Sequence, residues 1–107
     1  MNKVILTGNV GKDPEVRYLN TGVAYTMLSV ATSENYRDKD GKDVTRVEWI
    51  NVALWRALAE FAEKYVKKGA FVYVEGKLST RKYVDKAGVE RSITEVVAEE
   101  FKLLNAR

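Results

Sequence analysis

Apolar and polar residues alternate with a period of two along most of this chain, which is the pattern of half-buried β-strands. Five segments show this alternation: 3–10, 23–35, 47–54, 70–84 and 91–104. The second of them is also rich in β-branched and aromatic residues, which strands favour. The sequence therefore predicts five strands, with turns at 20–22, 40–41 and 85–90.

Glycines and charged residues refine this pattern. Gly8 predicts a bulge or bend within the first strand, and Gly76 predicts a bend within the fourth. The stretch 36–46 is dense in charged residues and contains Asp40-Gly41, a pair typical of hairpin tips. We therefore predict a charged loop over 36–46, immediately before the third strand.

The hydrophobic period changes to 3.6 after the third strand, which indicates a helix. Four residues then share one helical face: Leu58, Phe61, Ala62 and Tyr65. Lys67 and Lys68 suit the last turn of a helix, and Gly69 suits the C′ position that follows it. The sequence therefore predicts that the helix stops at Gly69.

The order of these elements predicts the fold. Strands without interleaved helices favour an antiparallel sheet, and five of them favour a closed or partly closed barrel. One helix between the third and fourth strands is the order of the OB-fold. We predict an all-β protein with one helix, an OB-fold built as a five-stranded Greek-key barrel; an SH3-like barrel or a sandwich is the alternative.

The third strand holds the two tryptophans of the chain, Trp49 and Trp55. On a strand they share one face, opposite the aliphatic residues Ile50, Val52 and Leu54. The aliphatic face is the natural core face. The indoles are therefore predicted to point away from the core, although burial in the core or an interface remains the alternative.

The fourth strand repeats this arrangement. Its aliphatic residues fall on one face, and its aromatic and basic residues fall on the other: Phe71, Tyr73, Lys77, Arg81 and Tyr83. Phe71 and Tyr73 are better explained by subunit contact or packing. Rings mixed with Arg and Lys, as at Tyr83 and at Tyr36 beside Arg37, suit single-stranded nucleic acid, whose bases stack on rings while cations follow the phosphates.

Composition narrows the chemistry. The 107 residues are enough for one domain, and the chain contains neither cysteine nor histidine. Disulfides, thiolate nucleophiles, Cys/His zinc sites and imidazole bases are therefore excluded. The acidic stretch 38–43 lacks the ligand run and distal Glu of an EF-hand loop. We predict no catalytic residue, no metal and no cofactor, so the protein is not expected to be an enzyme.

Net charge and hydropathy bear on the partners and the cellular location expected for the protein. The net charge is +3, a mild basic excess that suits nucleic acid only where the cations cluster. No apolar run is long enough to span a membrane, and the N-terminal residues lack the apolar core of a signal peptide. We expect a cytoplasmic protein without a membrane partner.

Six blocks of the sequence resemble, in order and spacing, bacterial single-stranded DNA-binding proteins (SSB): NKVILTGNVGKDPEVRY, ATSENYRD, EWINVALW, LAEFAEKYVKKG, VYVEGKLSTRKYVD and TEVV. The resemblance covers residues 2 to about 98. It implies that residues 1–107 form a single OB-fold domain that assembles into a homotetramer. It also implies that this assembly binds and wraps single-stranded DNA in replication, recombination and repair.

The resemblance also implies roles for particular residues. Four aromatic residues occupy the base-stacking positions of the family: Tyr36, Trp49, Trp55 and Tyr83. Six cations match its phosphate contacts: Lys3, Arg17, Arg37, Lys68, Arg81 and Lys82. Arg56 is added as a further candidate because it follows Trp55 directly.

Two departures from the family bear on its partners. Family members commonly continue into a flexible linker and an acidic tip that docks other proteins, whereas this chain reads FKLLNAR at its end. The acidic C-terminal tail is therefore expected to be absent, which puts tail-mediated protein partners in doubt. The position after Trp49, often a histidine at a subunit contact, is Ile50.

An OB-fold primosome-type accessory subunit or an RNA-binding subunit is the alternative function.

Overall fold

The computed structural model describes residues 1–105. Over this range the chain forms six strands and one helix: β1 (Val4–Val10), β2 (Arg17–Tyr18), β3 (Ala24–Arg37), β4 (Asp43–Trp55), α1 (Ala57–Tyr65), β5 (Phe71–Val84) and β6 (Glu90–Leu103). The five predicted strands are confirmed as β1, β3, β4, β5 and β6. The two-residue strand β2 was not predicted, because two residues are too few to show alternation.

The strands form one closed barrel. Their order is β1-β5-β6-β4-β3-β2, and an additional pairing of β1 with β3 closes the ring. All pairs are antiparallel except β4 with β6, which run parallel. With α1 between the third and fourth long strands, this is the predicted OB-fold.

The aliphatic faces of the long strands fill the barrel. Val30, Val52, Leu54 and Val72 are fully buried, and burial of each such side chain contributes about 1.5–3 kcal/mol to folding. Helix α1 packs Ala59 and Ala62, both fully buried, against this core. The small side chains allow the helix to approach closely.

The predicted helix is wrong in two details. Tyr65, expected on the buried face, is exposed, and the helix ends there rather than at Gly69. Val66 adopts an extended conformation and is buried in the core, so tertiary packing stops the helix early. Gly69 has a φ of 90° and serves the turn that follows, in which the Ala70 N–H donates to the Lys67 carbonyl at 3.0 Å.

The predicted loop over 36–46 is also wrong. β3 and β4 remain paired out to Arg37 and Asp43, so Tyr36 lies in a strand opposite Val44. Only 38–42 form the turn, in which the Asp38 carboxylate accepts hydrogen bonds from two backbone N–H groups. Both faces of this ribbon are largely exposed, and alternation is lost where neither face is buried.

The two glycines predicted to distort strands behave differently. The register of β5 with β6 shifts between Glu75 and Gly76, which confirms the irregularity there. The pairing of β1 with β5 is unbroken at Gly8, so of the predicted bulge or bend, the bulge does not form. A Cβ at Gly8 would collide with the Ala31 carbonyl oxygen. Glycine is needed at this point because β1 lies close to β3 while it pairs with β5.

Arg56 joins β4 to α1 in a conformation that L-residues rarely adopt. Its φ is 57° and its ψ is −124°, and within residues 1–105 it is the sole non-glycine residue with a positive φ. The Arg56 N–H donates to the Ala24 carbonyl at 2.8 Å, which holds this connection to β3. Conformations of this kind cost about 1–3 kcal/mol each and persist only where the surrounding structure enforces them.

Replacing Arg56 by glycine should therefore stabilise the protein. We expect Arg56→Gly to raise the free energy of unfolding by about 1 kcal/mol, since relief of strain exceeds the added entropy of the unfolded chain. Urea denaturation measures the change. Lys64→Gly, within α1, is the matched control and should lower the free energy of unfolding by about 1 kcal/mol. A loss of stability in both variants would contradict the strain at Arg56.

Candidate nucleic-acid interface

The outer face of β4 carries both tryptophans. Trp49 is 61% exposed and Trp55 is 37% exposed, whereas Val52 and Leu54 are fully buried on the opposite face. The prediction that the indoles point away from the core is confirmed. Ala53 lies between them on the outer face and is nevertheless fully buried. The small residue is covered by its larger neighbours, while the two rings stay open to solvent.

The Trp49 indole rests on a glycine. Trp49 pairs across the strands with Ala31 on β3. A Cβ added to Gly11 would lie only 2.6 Å from Cζ3 of the indole. The Gly11 N–H donates to the Ser29 carbonyl at 2.8 Å, which holds this backbone under the ring. The missing side chain of Gly11 therefore leaves room for the Trp49 indole. No local pattern in the sequence indicated this role.

The Trp55 indole rests on Tyr25. The two residues are direct cross-strand partners, with ring centroids 4.4 Å apart and planes tilted by 48°. Tyr25 is in turn paired with Arg17 on β2. Directly paired residues project to the same face, so Arg17, Tyr25 and Trp55 form a row across three strands. Tyr25 was missed because a lone tyrosine in a strand carries no signal of its cross-strand partner.

An ion pair between a half-exposed arginine and a buried carboxylate lies next to this row. Nε of Arg81 on β5 donates to Oε1 of Glu95 on β6 at 3.2 Å, and Nη2 donates to the Tyr25 hydroxyl at 3.2 Å. Glu95 is only 4% exposed. Burial favours the neutral form of Arg81, but Glu95 and Tyr25 outweigh it, so the pKa of Arg81 is raised above its ordinary value.

Three of the four predicted stacking rings share this outer face. Tyr83 alternates with Arg81 along β5, so both project to the side of Glu95, and the Tyr83 ring is exposed. Tyr36 is also exposed, but it lies in register with Val44 on the opposite face of the β3–β4 ribbon from Trp49. The structure therefore groups Trp49, Trp55 and Tyr83, and it separates Tyr36 from them.

Four of the predicted phosphate-contacting cations are held by carboxylates. The pairs are Lys3 with Glu75 at 3.1 Å, Arg37 with Asp43 at 3.3 Å, Arg81 with Glu95 at 3.2 Å and Lys82 with Glu90 at 3.8 Å. In all but the Glu95 pair both partners are at least partly exposed. Exposed pairs are worth at most about 1 kcal/mol, so Lys3, Arg37 and Lys82 can exchange partners readily.

The other three cations make no ion pair within residues 1–105. Arg17 lies beside Tyr25, and Arg56 follows Trp55. The two arginines therefore lie on either side of the Tyr25–Trp55 ring pair. Lys68 lies beyond α1, where its backbone N–H donates to the Asp13 carboxylate at 2.7 Å. Lys3 lies apart from this group, because it precedes β1, which is not a neighbour of β4 in the barrel.

Residues 1–105 contain neither a candidate metal cluster nor a candidate membrane-spanning helix. No group of three or more His, Cys, Asp or Glu side chains lies in an arrangement that could hold a metal ion there. In this part of the chain, no helix combines the length and apolar character needed to cross a membrane.

Comparison with known proteins gives consistent matches. The model of the single-strand binding protein family matches residues 1–104. Single-stranded DNA-binding proteins of Neisseria meningitidis serogroups A and B are each 50% identical to this chain over 107 residues. These alignments cover the whole of this chain and 62% of each relative. The chain thus spans under two thirds of the length of the curated relatives that it matches.

A solved structure agrees with the sequence matches. The Plasmodium falciparum SSB in complex with ssDNA superposes on this chain with a TM-score of 0.86 and 30% sequence identity. The superposition covers 98% of this chain and 96% of the other. On the matched family model, the level of identity and the shared fold, this chain belongs to the single-strand binding protein family.

Proposed function

We propose that this protein binds single-stranded DNA without strong sequence preference and serves in replication, recombination and repair as a binding protein, not an enzyme. The observation that carries the proposal is the set of exposed rings on one outer face, Trp49, Trp55 and Tyr83, with cations beside them. Family membership and the likeness to an SSB in complex with ssDNA support it.

The exposed rings favour single strands over duplex. Bases stacked inside a duplex present only their edges, whereas an unpaired base offers its π-face to a ring. Each base–ring stack is worth about 1–3 kcal/mol, and any base can form it. Trp49 and Trp55 can therefore each stack on a base without reading its identity.

Cations around the rings fit the path of a phosphate backbone. Arg17 and Arg56 lie on either side of the Tyr25–Trp55 ring pair. Arg37 and Lys82 are in exposed ion pairs, in which a phosphate can replace the carboxylate partner. Tyr36 and Arg37 lie near the tip of the β3–β4 ribbon. A strand that reaches both Trp49 and Tyr36 must pass around this ribbon, which is consistent with DNA wrapping around the protein.

The first test is binding of oligo(dT), followed by quenching of tryptophan emission. Both indoles are at the proposed site, so most of the emission should be quenched. Affinity should fall as salt rises, by a factor set by the number of phosphates contacted. Duplex DNA of equal length is the control for stacking, and oligo(U) tests the RNA-binding alternative. Equal affinity for duplex and oligo(dT) would reject the proposal.

A second prediction separates the binding face from the core. Trp55→Ala should weaken oligo(dT) binding by about 1–3 kcal/mol per engaged site, and the protein should remain folded. Leu54→Ala, the neighbouring residue on the interior face, is the matched control. It should lower the free energy of unfolding by about 2–5 kcal/mol and leave the affinity of the folded fraction unchanged. The reverse pattern would place Trp55 in the core.

We also propose that the protein is a homotetramer. Ile5 on β1 and Phe71 and Tyr73 on β5 share an outer face, because Thr7 pairs with Tyr73 and Asn9 with Phe71. Ile5 and Phe71 are exposed there. This apolar surface lies on strands that are not neighbours of β4. A second subunit can therefore cover it without blocking the tryptophans.

Sedimentation tests the assembly directly. The species at micromolar concentration should have four times the mass of the 12.1 kDa chain. Ile5→Glu should dissociate it, because the new carboxylate lies directly opposite Glu75 and in the apolar surface. Val84→Glu, at the exposed far end of β5, is the control and should leave the mass unchanged. A wild-type protein that sediments as a single chain would refute the proposal.

A further inference from the structure

Arg81 lies between a buried carboxylate and an aromatic pair. Its Nε donates to Oε1 of Glu95, and its Nη2 donates to the hydroxyl of Tyr25, both at 3.2 Å. The Tyr25 ring packs against Trp55 with centroids 4.4 Å apart. A continuous series of contacts therefore connects the buried Glu95 to the exposed indole.

Glu95 holds Arg81 in this position. The second carboxylate oxygen of Glu95, Oε2, is buried and has no hydrogen-bond partner within residues 1–105. If Arg81 turned outward to a phosphate, both oxygens would be buried without a partner, which is far less favourable than losing one exposed phosphate contact. Lys82 differs, because its partner Glu90 is exposed and can be left to water.

We propose that Arg81 is a positioning residue of the DNA site rather than a phosphate ligand. Anchored by Glu95, it holds the Tyr25 hydroxyl and thereby sets the orientation of the Trp55 indole. An indole that is already oriented loses less conformational freedom when a base stacks on it. This inference rests on the proposed binding of single-stranded DNA and assigns Tyr25, Arg81 and Glu95 to one ring of that site.

Tyr25→Phe removes only the hydroxyl that Arg81 contacts. Affinity for oligo(dT) should fall about two- to tenfold, the range of one hydrogen bond, with an unchanged dependence on salt. In a Trp49→Phe background, Trp55 is the single indole, and its emission maximum in the free protein should shift. Tyr65→Phe, at the exposed end of α1, is the matched control and should change neither quantity.

Two variants of the ion pair distinguish positioning from phosphate binding. Arg81→Lys keeps the charge but lacks the planar fork that reaches Glu95 and Tyr25 together, so affinity should fall as in Tyr25→Phe. The double variant Arg81→Gln with Glu95→Gln keeps the pair neutral. Its slope of log affinity against log salt should equal that of wild type, whereas loss of a phosphate ligand would reduce the slope by about 0.7.

Three results would overturn the positioning role: wild-type affinity in Tyr25→Phe, wild-type affinity in Arg81→Lys, or a reduced salt slope in the double variant. If circular dichroism shows that Arg81→Lys does not fold, Tyr25→Phe decides. Failure of the wild-type protein to bind oligo(dT) would reject the proposed function instead. Emission of Trp55 in free Tyr25→Phe, measured in the Trp49→Phe background, would then still show whether the hydrogen bond from Arg81 to Tyr25 orients the Trp55 indole.

Discussion

Packing of the aliphatic face of β4 inside the barrel is the interaction on which the rest of the structure depends. Val52 and Leu54 are fully buried, and Val52 pairs with Leu28 on β3. Because side chains alternate along a strand, this packing places Trp49 and Trp55 outside. A shift of one residue would bury both indoles and expose the aliphatic residues. The core therefore determines which face carries the proposed DNA site.

Closure of the barrel allows unfavourable features to persist next to the tryptophans. Arg56 holds a strained backbone, and one oxygen of the buried Glu95 carboxylate has no hydrogen-bond partner within residues 1–105. In the barrel, the surrounding strands enforce both features. Arg56 follows Trp55 directly, and Glu95 is connected to Trp55 through Arg81 and Tyr25.

The features that sequence patterns predicted correctly are those set by near neighbours. Alternation located the five long strands and the outward direction of Trp49 and Trp55, and the glycine at Gly76 marked the irregularity in β5. Local periodicity also placed the helix, although it missed the end at Tyr65. Burial of Val66 in the core stopped that helix, and a pattern of local propensity does not contain this contact.

By itself, the sequence determined which side chains are apolar, which strands form and which face of each strand is the core face, because these depend on residues a few positions apart. Only the tertiary structure decided that Tyr25, Trp55, Arg81 and Glu95 meet. These residues come from four strands, which three strand pairings bring together. β3 pairs with β4 and β5 with β6 in antiparallel register, and β4 pairs with β6 in parallel. Register is set by the packing of the whole barrel, so the contacts that connect Trp55 to Tyr25, Arg81 and Glu95 are complete only once the barrel has closed.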